Sequence, residues 1–167
     1  MKGPFAVGFF LLTMSLLSPS LSAKGDMVKI SIRGGGLTAP IEITNPKINA
    51  FNVWAGPGVV VNGAEQREGF IIEWPKGAVA HLPAGLQRYE VSFYEGRETG
   101  EPSLVYVVDY ACDPLTGKGF VYLPGRGDER FRFNRTMWHG QGLEGNWFRA
   151  TDAWDAFVRP LIAPIPG

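Results

Sequence analysis

The stretch 138–154 contains the residues of this chain whose types and spacing could do chemistry. Four large aromatic residues fall within it: Trp138, Trp147, Phe148 and Trp154. Amide, imidazole and guanidinium groups separate them. Flat aromatic faces beside such groups can stack on sugar rings or hold a peptide. Because glycines also predict a loop here, where binding residues concentrate, this stretch is a candidate ligand site, although we favour its aromatic side chains as part of the core.

The candidate binding residues are Trp138, His139, Trp147 and, from an earlier part of the chain, Trp54. The alternative is that these aromatic side chains fill the seam between a sheet and a C-terminal helix. A groove beside them supports the first interpretation, whereas burial without a neighbouring cavity supports the second.

A cysteine–histidine pair is the arrangement for nucleophilic catalysis that the sequence offers. Cys112 is the only cysteine, and His81 and His139 are the only histidines. A nucleophile needs a base within hydrogen-bond reach and a group that orients the base. No nucleophile elbow or glycine-rich lead surrounds Cys112, which follows the apolar run 104–111. We therefore expect a buried thiol, and the catalytic residues stay unknown.

Carboxylates beside tryptophans suggest glycoside hydrolysis, which uses a pair of acids that can come from anywhere in a β fold. The candidates are Glu73 beside Trp74 and Glu144 near Trp147. Metal binding is not expected, because no closely spaced histidine or cysteine pair exists and acids in turns are usually solvated. We expect no cofactor.

Two short motifs and a basic run occupy residues 126–136. Arg126-Gly127-Asp128 spells an adhesion tripeptide on a predicted turn, and Asn134-Arg135-Thr136 is a glycosylation sequon. The arginines here predict salt bridges to sheet acids such as Glu90. Nucleic acid is not expected as a partner, because a near-neutral chain has no long-range field that attracts phosphates.

The first 23 residues have the features of a secretory signal peptide. Lys2 gives a positive start, residues 5–17 are apolar and uncharged, and small residues precede Lys24. The apolar run is too short to span a bilayer, so we expect no transmembrane segment after signal removal. The remaining chain carries 15 basic and 16 acidic residues, a formal charge of −1. We predict one β-rich domain over 24–167 and a secreted or periplasmic location.

Period-two alternation predicts most of the elements that position these groups. Residues 28–33 form a half-buried strand, with a short second strand at 41–43 and a helix start at Asn45-Pro46. The apolar run 69–74 predicts another strand. From 87 to 135, four strands joined by short turns predict an antiparallel meander, in which 104–111 is covered on both faces.

Near the C-terminus, apolar residues spaced for one helical face predict a helix over about 152–160, which Pro160 would kink or end. The predicted fold class is mostly β: a single antiparallel β-sandwich or β-sheet meander with one or two short covering helices. A strand such as 28–33, if it lay at a sheet edge, could pair with a protein partner.

The segments VKISIRGGGLTAPIEITNPKINAFNVWAGPG and GNWFRATDAW resemble parts of small exported bacterial proteins that have no assigned function. The shared pattern is a strand, an Ile-Thr-Asp/Asn-Pro helix start, and Asn-Val-Trp. The resemblance implies a bacterial origin and carries over no catalytic residue. We expect a non-catalytic module that binds a small ligand, a glycan or a protein partner. The alternative is a small extracytoplasmic hydrolase.

Overall fold

The computed structural model describes residues 26–61, 63–65, 69–97, 100–134 and 142–163. The predicted signal peptide lies outside these residues. The strands are β1 (Met27–Gly34), β2 (Ile41–Ile43), β3 (Val60–Val61), β4 (Ala64–Glu65), β5 (Ala78–Val79), β6 (Gln87–Glu95), β7 (Ser103–Cys112), β8 (Gly119–Tyr122) and β9 (Trp147–Arg149). The α-helix is α1 (Asp152–Ile162), and 3-10 helices cover Pro46–Phe51, Trp74–Lys76 and Glu129–Phe133.

Seven strands form one sheet in the order β2-β1-β6-β7-β8-β9-β5, and every described pairing in it is antiparallel. The mostly β, antiparallel fold predicted above is therefore confirmed. Strand β7 lies at the centre, and most of its residues are buried on both faces. Its continuous apolar sequence reflects that position, because neither face meets water.

One face of the sheet, here called the inner face, carries α1 and the turn Pro46–Phe51. Thr151 begins the helix, its hydroxyl accepting the Trp154 N–H at 3.2 Å. The Trp154 side chain is fully buried. Its ring lies 5.1 Å from that of Phe51 and 5.9 Å from that of Tyr110. These aromatic contacts attach the helix to the sheet.

The opposite, outer face of the sheet carries the 3-10 helix Glu129–Phe133. Asn134 follows it and is buried; its side-chain oxygen accepts the Val107 N–H at 2.8 Å, and its amide donates to the Val107 carbonyl at 3.1 Å. The pairing of β7 with β8 begins only at Asp109, so this amide takes the place of a strand partner. The sequon residue Asn134 is thus a structural hydrogen-bonding group.

Two predicted strands are wrong. The segment 69–74 forms a turn, in which Phe70 has a φ of 55°, followed by a single bridge from Ile72 to Ala150. Its apolar residues are consecutive because Phe70, Ile71 and Ile72 are all buried beneath the inner face. The predicted fourth meander strand at 131–133 belongs to the 3-10 helix, and β9 takes its place beside β8.

Two further expectations also need correction. Pro160 does not end α1, which continues to Ile162; the Ala163 N–H bonds to the Arg159 carbonyl at 3.0 Å, and Ile162 is buried. Strand β1 is interior, with β2 and β6 as neighbours, so 28–33 does not supply a sheet edge. Across the described ranges, no helix is both long and apolar enough to cross a membrane.

Candidate functional site

Five polar and aromatic residues on the outer face stand in one row across five adjacent strands. The antiparallel register sets each directly opposite the next: Arg33, Glu90, Asp109, Tyr122 and Trp147. Neighbouring strands are about 4.8 Å apart, so the row spans roughly 19 Å. We call this row, together with Arg88 and Arg130, the outer-face site.

Arg130 joins the two carboxylates of the row. Its Nε donates to Glu90 Oε2 at 2.9 Å, and its Nη1 donates to Asp109 Oδ1. Arg33 approaches the other Glu90 oxygen at 3.4 Å. The predicted salt bridge between this basic run and Glu90 is therefore confirmed. An open depression of about 450 Å³ lies above these groups, and a smaller one of about 180 Å³ continues from Asp109 past Tyr122.

Burial and charge affect the Asp109 carboxyl in opposite directions. Its pKa is raised, chiefly because burial penalises the ionised form; Arg130 opposes that rise, and the neighbouring Glu90 adds to it. The two acids would repel each other without the guanidinium between them. Arg130 therefore joins the two carboxylates in one ion-pair network.

The other half of the row is aromatic. The Tyr122 and Trp147 rings lie 5.2 Å apart with a 36° tilt, a cross-strand pair typical of a sheet face. The Tyr122 hydroxyl donates to Asp128 Oδ2 at 3.0 Å, and the same oxygen accepts the Gly125 N–H. Asp128, the last residue of the Arg-Gly-Asp tripeptide, thus stabilises the turn in which it lies and orients the Tyr122 ring. Both rings remain partly exposed.

Two exposed guanidinium groups lie over aromatic rings beside the row. Arg88 lies 5.3 Å from the Trp147 ring centre, and Arg149 lies 6.0 Å from that of Phe120. Arg88 and Arg149 belong to a second row beside the first. In it, Arg88 lies opposite Ala111, Ala111 opposite Phe120, and Phe120 opposite Arg149. Ala111 is small, which leaves room for the Arg88 side chain to extend across β7.

The structure separates the predicted binding residues. Trp147 lies in the outer-face site. Trp54 is on the other side of the sheet, packed against the core next to the Pro46–Phe51 turn. Trp138 and His139 lie outside the described residues. Phe148 and Trp154 belong to the inner core, as the alternative interpretation predicted for the aromatic cluster.

Sequence reasoning did not bring Glu90, Asp109 and Tyr122 together as a site. Each lies in a predicted strand, but the row exists only once the register is known. The run of turn residues 113–118 gave one signal, since a short connection between 112 and 119 fixes Asp109 opposite Tyr122.

The catalytic alternative depends on Cys112, His81 and the acids beside tryptophans. Cys112 is buried, as predicted, and burial together with the nearby Asp155 raises its pKa to about 11. His81 is exposed, while His139 lies outside the described residues. Glu73 forms an ion pair with Lys76 at 2.8 Å. Within the described part of the chain, no group of three or more metal-ligating side chains could hold an ion.

We expect Cys112 of the folded protein to react with Ellman's reagent at least tenfold more slowly than in the chain unfolded in urea. The thiolate is the reactive form, and burial disfavours it while also blocking access. The measurement is the rate of thionitrobenzoate release at about pH 8 with and without urea. Equal rates would contradict this prediction and restore Cys112 as a candidate nucleophile.

Comparisons of the chain with protein-family models, curated proteins and solved structures give no match.

Proposed function

We propose that this protein is an exported, non-catalytic binding module that takes a saccharide on the outer face of its sheet. The observation that carries the proposal is the Tyr122–Trp147 ring pair in register with Glu90 and Asp109. Aromatic faces pack against the apolar faces of sugar rings. Carboxylates accept hydrogen bonds from sugar hydroxyls, and guanidinium groups donate hydrogen bonds to them.

The shape of the outer face supports a saccharide over a small apolar ligand. The larger depression is open and has a floor built mostly from strands, and Asp109 and Arg130 line both depressions. A small apolar ligand needs an enclosed pocket that removes most of its surface from water. An extended polar ligand can instead follow the row from Arg33 towards Trp147.

The state of the two carboxylates favours binding over hydrolysis. A glycosidase needs one protonated acid and one free carboxylate, on either side of the bond that breaks. Glu90 and Asp109 share one guanidinium that contacts both of them. Both carboxylates are therefore paired with a cation, and neither is the unpaired carboxylate that hydrolysis requires. The proposed export, which depends on residues 1–23, is consistent with a ligand found outside the cytoplasm.

The proposal predicts that Trp147→Ala weakens saccharide binding at least tenfold, a typical effect of removing a stacking ring from a binding site. The measurement is isothermal titration of the purified protein with cellopentaose, chitopentaose, maltopentaose and trigalacturonic acid, chosen to differ in linkage and charge. Folding of the variant is checked by circular dichroism.

Trp54→Phe provides the matched control. Trp54 is also half-buried, but it packs on the inner side of the sheet, so binding should be unchanged. If Trp54→Phe weakened binding as much as Trp147→Ala, the outer face would not be the site. If none of the saccharides bound the unaltered protein at millimolar concentration, the proposed function itself would be wrong.

A further inference from the structure

The outer face has more positive than negative charge along the row from Arg33 to Trp147. Four arginines project there (Arg33, Arg88, Arg130 and Arg149), against the two carboxylates Glu90 and Asp109. Asp128 at the rim reduces the excess from two charges to one, and Glu129 there pairs with Arg132 at 3.4 Å. The local surface is therefore cationic in a domain whose expected formal charge is −1.

The excess positive charge lies on two arginines that have no acidic partner among the described residues. Arg33 and Arg130 are occupied by Glu90 and Asp109. Arg88 and Arg149 form no ion pair with any residue that the structure describes, and both are exposed. They are the two guanidiniums stacked over the Trp147 and Phe120 rings.

The ring contacts help these guanidiniums to bind a carboxylate. A ring face beside a guanidinium restricts its movement but accepts no in-plane N–H bond, so the N–H edge stays available to a ligand. That edge matches the two oxygens of a carboxylate in a bidentate pair. Because Phe120 and Trp147 lie on adjacent strands, the two groups serve neighbouring parts of one ligand.

We infer that the ligand of the outer-face site is an acidic saccharide, with sugar carboxylates bound by Arg88 and Arg149 and ring faces packed on Tyr122 and Trp147. This inference rests on the proposed function and names its ligand class. Glu90 and Asp109, held by Arg130, accept sugar hydroxyls at the other end of the row.

The test compares trigalacturonic acid with the same trimer after its carboxylates are reduced to primary alcohols. We expect the acidic trimer to bind at least tenfold more tightly in low salt, and this advantage to shrink as sodium chloride is added. Arg88→Gln and Arg149→Gln should each remove most of the difference, because each variant weakens binding of the acidic trimer much more than binding of the reduced trimer. Lys47→Gln, which neutralises an exposed cation beside β2 and α1, should leave both affinities unchanged.

Four results would overturn the inference, and they identify which part is wrong. Equal binding of the two trimers, with Trp147 still required, would leave a saccharide module without acidic specificity. Stronger binding of a sulfated galactan oligomer that has no carboxylates would assign the arginines to sulfate. Arginine-dependent binding of an oligoglutamate peptide in place of the trimer would replace the saccharide with an acidic protein segment. Failure of every saccharide to bind would remove the proposed function as well.

Discussion

Replacing Trp154 with alanine is expected to lower the free energy of unfolding by about 3–5 kcal/mol, the usual cost of truncating a large buried aromatic residue. Trp154 is fully buried, and its ring contacts those of Phe51, Phe93, Tyr110 and Phe157 at centroid distances of 5.1 to 6.2 Å. Removing the indole leaves a cavity at the point where the helix, the Pro46–Phe51 turn and the sheet meet. Urea denaturation followed by far-ultraviolet circular dichroism measures the loss.

The matched control for this prediction is Trp147→Ala, which removes the same side chain from the outer face. Trp147 is only partly buried and leaves no enclosed cavity, so its loss should be about 1 kcal/mol or less. If Trp154→Ala prevents folding, Trp154→Phe should give a smaller, measurable destabilisation. A loss below 1 kcal/mol for Trp154→Ala would mean that α1 does not hold the domain together.

The two tryptophans show what sequence reasoning could and could not separate. Both lie in the aromatic stretch 138–154, and composition alone treats them alike. Phe148 and Trp147 are neighbours in β9, so their side chains point to opposite faces of the sheet. The three-residue strand is too short for its alternation to be recognised in the sequence. Only the fold shows that Trp147 belongs to the site and Trp154 to the core.

The long strands were predictable for a physical reason. In β1 and β6, apolar residues of the inner face alternate with polar residues of the outer face over much of each strand, and this periodicity is visible in the sequence. The segment 69–74 has the same composition without the alternation, because it is buried as a turn. Apolar content therefore predicted burial correctly there, but it predicted the wrong backbone conformation.

The outer-face site depends on register, which is a property of strand pairs. Glu90 meets Asp109 because β6 and β7 pair over most of their length, and Asp109 meets Tyr122 because a short turn joins β7 to β8. A shift of one residue in either pairing would turn one partner to the inner face. Burial of the inner face opposes such a shift, so the core determines where the polar row forms.

The same coupling of core and surface occurs at Asp155, whose side chain joins α1 to the sheet. Its Oδ1 accepts the Tyr110 hydroxyl at 2.8 Å, and its Oδ2 accepts the Gly119 N–H at 2.9 Å. Residue 119 must be glycine for this contact, because a Cβ there would lie 2.4 Å from Oδ1 and 2.3 Å from the Tyr110 ring. The carboxylate thus satisfies two donors from different strands.

Asp155→Ala is expected to lower the free energy of unfolding by about 3 kcal/mol, because it leaves the Tyr110 hydroxyl and the Gly119 N–H without their acceptor. Asp155→Asn is the matched control and should lose less, since its amide oxygen can still accept one donor and its NH₂ can donate to the Tyr110 oxygen. Both are measured by urea denaturation at pH 7. Equal losses for the two variants would mean that neither hydrogen bond contributes to stability.

The pH dependence of the Asn variant separates the carboxyl from its hydrogen bonds. Burial is the main reason why the pKa of Asp155 is raised in the fold, above the value of about 3.9 for an unfolded aspartate. Between those two pKa values the folded state holds a proton that the unfolded chain releases, so the stability of the unaltered protein falls as the pH rises through that window. Asp155→Asn lacks this dependence, while Asp109, whose pKa is also raised, titrates in both proteins and cancels in the comparison. The stability of the unaltered protein relative to the Asn variant should therefore increase as the pH is lowered from neutral towards 4. A difference that stays constant over that range would show that the fold does not disfavour the ionised carboxylate.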